Sequence, residues 1–144
     1  MLNFRNVTEV VSIVILLYGL ILYARIWRGI KNILLPMDIL RLKEYFDFMR
    51  FSRKIQNELK NIVIAVAIIF LINIISVCFC VLTEIQLIIL FLAFTLFIMQ
   101  NSAFNMFCTV THIKKEERKY YRECRKNMIE SQIKEINNKD DTSK

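Results

Sequence analysis

Between Ile62 and Leu82 the chain runs for 21 residues without a charge. An α-helix rises about 1.5 Å per residue, so this run reaches about 30 Å, the thickness of a bilayer's hydrocarbon core. Two further blocks are comparable. Val7–Ala24 is interrupted only by Glu9, and Ile85–Ile113 carries no charge with His112 neutral. In a chain of 144 residues such runs leave room for little else. Hydrophobic residues make up 56% of the whole, yet the net charge is +7, so the two classes are segregated into blocks. Two glycines and one proline leave almost no turn chemistry, which excludes collagen, Gly/Pro-rich disorder and a turn-dense β-sandwich or barrel. The expected class is all-α, a polytopic membrane protein with three transmembrane helices plus cytoplasmic amphipathic helices.

The charges divide the chain. Residues 1–6 form a short N-terminus, 7–27 a first span, 28–60 a loop containing an amphipathic helix, and 61–82 a second span. A turn at 83–84, a third span at 85–108 and a basic helical tail at 109–144 follow. The first apolar block is short and continues to Trp27. Arg25 and Arg28 snorkel there while the indole sits at headgroup level, making these three residues interfacial anchors. No small-x-small cleavage site follows, as suits a retained anchor rather than a signal peptide. One basic residue precedes the first span, nine lie between Arg25 and Lys60, none in Thr83-Glu84, and ten after Ile113. The positive-inside rule then places both basic blocks in the cytoplasm and the N-terminus outside the cell membrane.

Two segments are expected on the cytoplasmic side. Pro36 suits a first helical turn, with Asp38 complementing the helix dipole. Ile39, Leu42, Tyr45, Phe46 and Met49 then fall on one side, and Phe48, Phe51, Ile55 and Leu59 widen the apolar surface. Lys43, Asp47, Arg50, Lys54 and Asn57 hold the opposite face. This pattern predicts a helix along the inner leaflet, drawn to anionic lipid, with packing on another protein or on the C-terminal tail as the alternative. The tail is expected to continue the third span as one helix to about Ile136.

Chemistry-bearing motifs are sparse. Gly19 and Gly29 stand alone, so there is no phosphate loop. A single histidine forbids a His-paired metal site within one chain, and no cofactor is expected. Neither fully apolar span holds an ionisable group of the kind a proton relay or coupled transporter uses. Cys78, Cys80, Cys108 and Cys124 form no C-x-x-C pair. They read as small apolar residues, with palmitoylation of Cys108 as the sharper option.

The informative residues are uncharged and polar. Asn73, Ser76, Cys80 and Thr83 share one helix face. Asn101, Asn105, Cys108 and His112 share another, and Gln86, Ala93 and Gln100 recur every seven residues. Amides in hydrocarbon seek partners on neighbouring helices, so Asn73, Ser76, Gln86, Gln100, Asn101 and Asn105 are candidate helix–helix or oligomer contacts. Asn73 and Gln100 sit at different depths and are not expected to meet.

These features predict a non-enzymatic membrane subunit or scaffold of a larger assembly. Its partners would be the bilayer, anionic inner-leaflet lipid, and a protein or a second copy held through basic helices. In topology the chain resembles the small phage holins, which share an outside N-terminus, three spans and a charged cytoplasmic tail. That resemblance implies a homo-oligomeric pore, although the roughly 35-residue connection departs from the holins' short ones. A membrane immunity protein shielding a target is a third possibility. Nucleic-acid binding is not expected, because the positive-inside rule already accounts for the charge.

Overall fold

Long runs without glycine or proline give long helices, because nothing in them breaks the backbone ladder. The computed structural model describes residues 4–79 and 82–142, with side chains described as far as residue 136. Helix α1 spans Phe4–Gly29 and passes into a π-helical turn at Ile30–Leu34. Helix α2 spans Leu42–Cys78, and α3 spans Glu84–Thr142. The fold is all-helical, with three helices long and apolar enough to cross a membrane. Each helix packs on the other two. α1 and α3 run parallel, with α2 antiparallel between their ends.

The buried positions obey one rule. On α2 the run Ile55, Leu59, Ile62, Val66, Ile69, Asn73 and Ser76 steps alternately by four and three, with Phe48 seven residues before Ile55 and Ala65 buried beside Val66. On α3 Gln86, Ile89, Ala93, Leu96, Gln100, Ala103, Phe107 and Val110 step by three and four. This 3.5-residue repeat is the seam of a coiled coil, in which side chains of one helix fill gaps in the next. Small residues let the backbones close up. A Cβ added at Gly19 would stand 2.7 Å from Leu96 Cδ2, which sets α1 and α3 side by side at that level.

The largest departure from the sequence reading lies in residues 28–60. No helix end lies near Lys60, since α2 runs unbroken from Leu42 into the apolar run. Residues 42–60 are therefore the first half of a 37-residue helix and not a separate helix lying flat. Pro36 sits in the turn before α2, not in its first turn. Proline's fixed φ serves a turn as well as a helix start. Asp38 Oδ1 accepts the Leu40 N–H at 3.0 Å, an Asx turn that redirects the chain.

Burial also selects a different face. Phe48 is 0% exposed, whereas Phe46 is 64% exposed. Phe48, Ile55 and Leu59 join Ile30, Leu34, Ile39, Phe107 and Val110 in a core that extends beyond the charge-free run. The apolar face of this segment thus has a covering within the chain, from the π turn and α3. Glu84 likewise opens α3 instead of forming a turn, and its carboxylate lies in the first turn, where the helix dipole favours it.

This packing predicts a sharp contrast between neighbouring aromatics. Phe48→Ala should lower stability in detergent micelles by about 3–5 kcal/mol, the range for truncating a buried Phe. Phe46→Ala should stay within about 0.5 kcal/mol. Thermal unfolding followed by helical circular dichroism checks both.

Candidate functional site

At the end of the bundle where α3 begins, six polar side chains meet. Thr83 caps α3. Its hydroxyl accepts the Gln86 N–H at 3.3 Å, while Gln86 Oε1 accepts the Thr83 N–H at 3.3 Å. This reciprocal pair is a capping box, which satisfies two helix-end donors at once. Both partners also reach outward. Gln86 Nε2 donates to Thr8 of α1 at 2.9 Å and to Ser76 of α2 at 3.1 Å. The Thr83 hydroxyl donates to Glu9 Oε1 at 2.6 Å, and Arg5 Nε stands 3.6 Å from the same carboxylate. Gln86 is 0% exposed, yet its amide is fully engaged. A buried amide without partners costs about 1–3 kcal/mol, so this clasp holds all three helices in one rotational setting. Phe4 and Phe79 close its rim edge to face, with centroids 5.9 Å apart.

The remaining polar candidates scatter. Asn73 is buried and donates to Ile69 O of its own helix at 2.8 Å, leaving its Oδ1 without a partner. The Ser12 hydroxyl is buried without a partner too. Gln100 is buried, with no side-chain hydrogen bond among the described residues. Asn101, Asn105, Cys108 and His112 lie on the outer surface of the bundle. Ser76 and Gln86 are therefore brought together, Asn73 and Gln100 face the interior separately, and Asn101 and Asn105 face away. Cys80, which shares the face of Asn73 and Ser76, lies outside the described residues.

A second polar layer crosses the bundle toward the basic end. Arg25 Nε stands 3.3 Å from Glu58 Oε1, joining α1 to α2. Tyr23 and Trp27 stack at 6.3 Å beside it, and Arg28 lies exposed one turn on. From Thr8 to Arg25 the rise is about 25 Å. The packing of Gly19 against Leu96 puts Asn105 at about the height of Arg28. Beyond this layer the Arg118 guanidinium lies over the Tyr45 ring, 3.2 Å from its centroid. That contact ties the start of α2 to the far half of α3 and is a cation–π attraction. In the tail, a hydrogen bond and electrostatic interaction with Cys124 raise the Tyr120 hydroxyl above the ordinary phenol value.

Among the described residues no three His, Cys, Asp or Glu side chains gather where a metal could sit. No protein-family model, curated protein or solved structure matches the chain.

Four contributors escape a reading by helical period: Thr8, Glu9, Glu58 and Arg118, the partner of Tyr45. Their contacts join residues far apart in the chain. Two signals were nevertheless present. Thr83-Glu84-Ile85-Gln86 has the T-x-x-Q spacing of a capping box. Three alternating spans also put Glu9 at the same end as the α2–α3 connection.

Gln86→Leu should destabilise the bundle in micelles by about 1–3 kcal/mol, since it leaves the Thr83 N–H without its acceptor and Thr8 and Ser76 without their donor. Gln100→Leu should be neutral or slightly stabilising. Loss of helical signal on heating measures both, and equal effects would contradict the central place of Gln86.

Proposed function

We propose that this chain is a non-enzymatic integral membrane protein, the membrane-embedded subunit or scaffold of a larger assembly. Its N-terminus faces outside and its basic tail faces the cytoplasm, where the tail holds a protein partner. The observation that carries the reading is the state of α3 beyond Arg125. Every described side chain from Lys126 to Ile136 is exposed. Ile129, Ile133 and Ile136 follow i, i+4, i+7, so they form an exposed apolar stripe that none of the described residues covers. A solvent-facing stripe of this kind on a helix suits a partner groove or a second helix.

Membrane insertion is supported by the two polar layers. They bracket an apolar slab of about 25 Å, close to hydrocarbon thickness. The basic residues gather at one end of that slab, as the positive-inside rule requires of a cytoplasmic face. The exposed Asn101 and Asn105 favour association of copies at the level of Arg25 and Arg28, because amides facing lipid seek partners.

A holin-like pore is the competing reading. Ile62, Ile69, Ala93 and Leu96 fill the axis of a single copy, which argues against a path through one chain. A path between copies would use the Asn101–Asn105 face.

In single-cysteine variants, Cys124 should react with a membrane-impermeant maleimide only after the inner face is opened. A cysteine in place of Glu84 should react in intact cells. A photo-crosslinker at Ile133 should give one discrete heterologous adduct. Asn101→Leu with Asn105→Leu should weaken self-association partially, since each such bond is typically worth about 0.6 kcal/mol. Labelling of Cys124 from outside would overturn the topology. Prompt loss of membrane potential on expressing the chain alone, abolished by the two leucine substitutions, would replace the scaffold with the pore.

A further inference from the structure

A cleft of about 570 Å³ opens between the basic end of α1 and the facing part of α2. Arg25, Arg28 and Lys54 line it, against one carboxylate, Glu58. The pairing of Arg25 with Glu58 leaves two cations uncommitted. Arg28 and Lys54 have no ion-pair or hydrogen-bond partner among the described residues. The rest of the wall is largely apolar, with Ile21, Ile33, Phe51 and Ile55.

Two backbone features shape this cleft. Gly29 lets α1 lie close against Phe51, where an added Cβ would stand 3.3 Å from the ring. The π-helical turn begins at the next residue, fixed by the Leu35 N–H donating to Ile30 O at 3.0 Å. Asn32 and Ile33 of that wide turn form part of the lining. Single π turns recur at functional sites, where the extra residue reshapes one face of a helix.

We propose that this cleft holds one anionic phospholipid, its phosphate between Arg28 and Lys54 and an acyl chain along Ile21. Position and chemistry both select a lipid over a free anion. Ile21 lies one turn before Arg25 on the apolar-slab side of the cleft and is largely exposed. A free phosphate would satisfy the cations and leave this apolar wall uncovered. A phospholipid headgroup at the slab boundary covers both, as basic pockets between helices on a cytoplasmic face do. The Asn32 carboxamide adds a neutral hydrogen-bonding group at the same opening. The site rests on the membrane reading above and is independent of any protein partner.

The test uses the full chain, first shown by flotation to reside in the membrane fraction, then purified in mild detergent. Native mass spectrometry compares retention of phosphatidylglycerol with that of phosphatidylcholine. The wild type should retain the anionic lipid preferentially. Arg28→Gln combined with Lys54→Gln should reduce that preference on the order of tenfold, from two basic contacts. Lys119→Gln combined with Lys134→Gln, an equal charge change in the tail, should leave it intact. Both side-chain pairs are exposed, and circular dichroism confirms that the variants stay helical. Equal retention of the two lipids by a floating wild type would overturn the lipid site while leaving the membrane reading in place. Displacement of the lipid by millimolar inorganic phosphate would also overturn it, in favour of a simple anion site. A wild type that does not float would remove both readings.

Discussion

A primary amide sealed among three apolar helices has to be satisfied from within, and Gln86 is so placed. Its carbonyl oxygen closes the cap of its own helix, while its two N–H donors go one to each neighbour. A rotation of any helix by one residue would carry a partner about 100° away and strand the amide. The heptad seams of α2 and α3 lie in line with Ser76 and Gln86, so the same contact that ends the bundle sets which residues enter its core. Hydrophobic packing is broadly tolerant of sliding. The directional bonds at one end are not, and they select one register from the many that leucine and isoleucine would accept.

The bundle divides into two stretches of different character. Between the clasp and the Arg25–Glu58 pair, the outward surface is apolar with few interruptions. Past that pair, the interior remains apolar around Phe48, Ile30 and Leu34, while the surface turns basic. The same three-helix packing therefore continues from a stretch suited to hydrocarbon into one suited to water. Arg118 over Tyr45 and the cleft that Tyr121, Arg122 and Arg125 share with Leu40 and Leu42 close the second stretch, and the described side chains of α3 from Lys126 on are exposed.

Three long helices were legible because long apolar runs, broken by a single carboxylate and a single glycine in the first and by neither in the other two, admit few other structures. The role of Pro36 was not, since a fixed φ suits a helix start and a turn equally and only Asp38's bond to Leu40 decides between them. Nor was the choice between Phe46 and Phe48. They lie about 200° apart on a helix flanked by apolar residues on most sides, so period alone does not orient it. Orientation came instead from Phe107 and Val110, some 60 residues away in sequence. The stripe through Asn73 and Ser76 on one helix and that through Gln86 and Gln100 on the next could each be drawn from spacing. That Gln86 would be central and Asn73 would turn back on its own carbonyl depended on Thr8, a position 78 residues from Gln86.

Helix α3 contains no glycine or proline along its 59 residues, and so has no built-in hinge. Its first turn is held in the clasp, its middle in the bundle, and about 36 Å of it lie beyond Arg118. Such a member acts as a lever. A tilt of about 10° pivoting near Arg118 would swing the free end by about 6 Å, and the clasp would be displaced the other way. Force applied to the tail thus has no flexible joint in which to dissipate before it reaches Gln86.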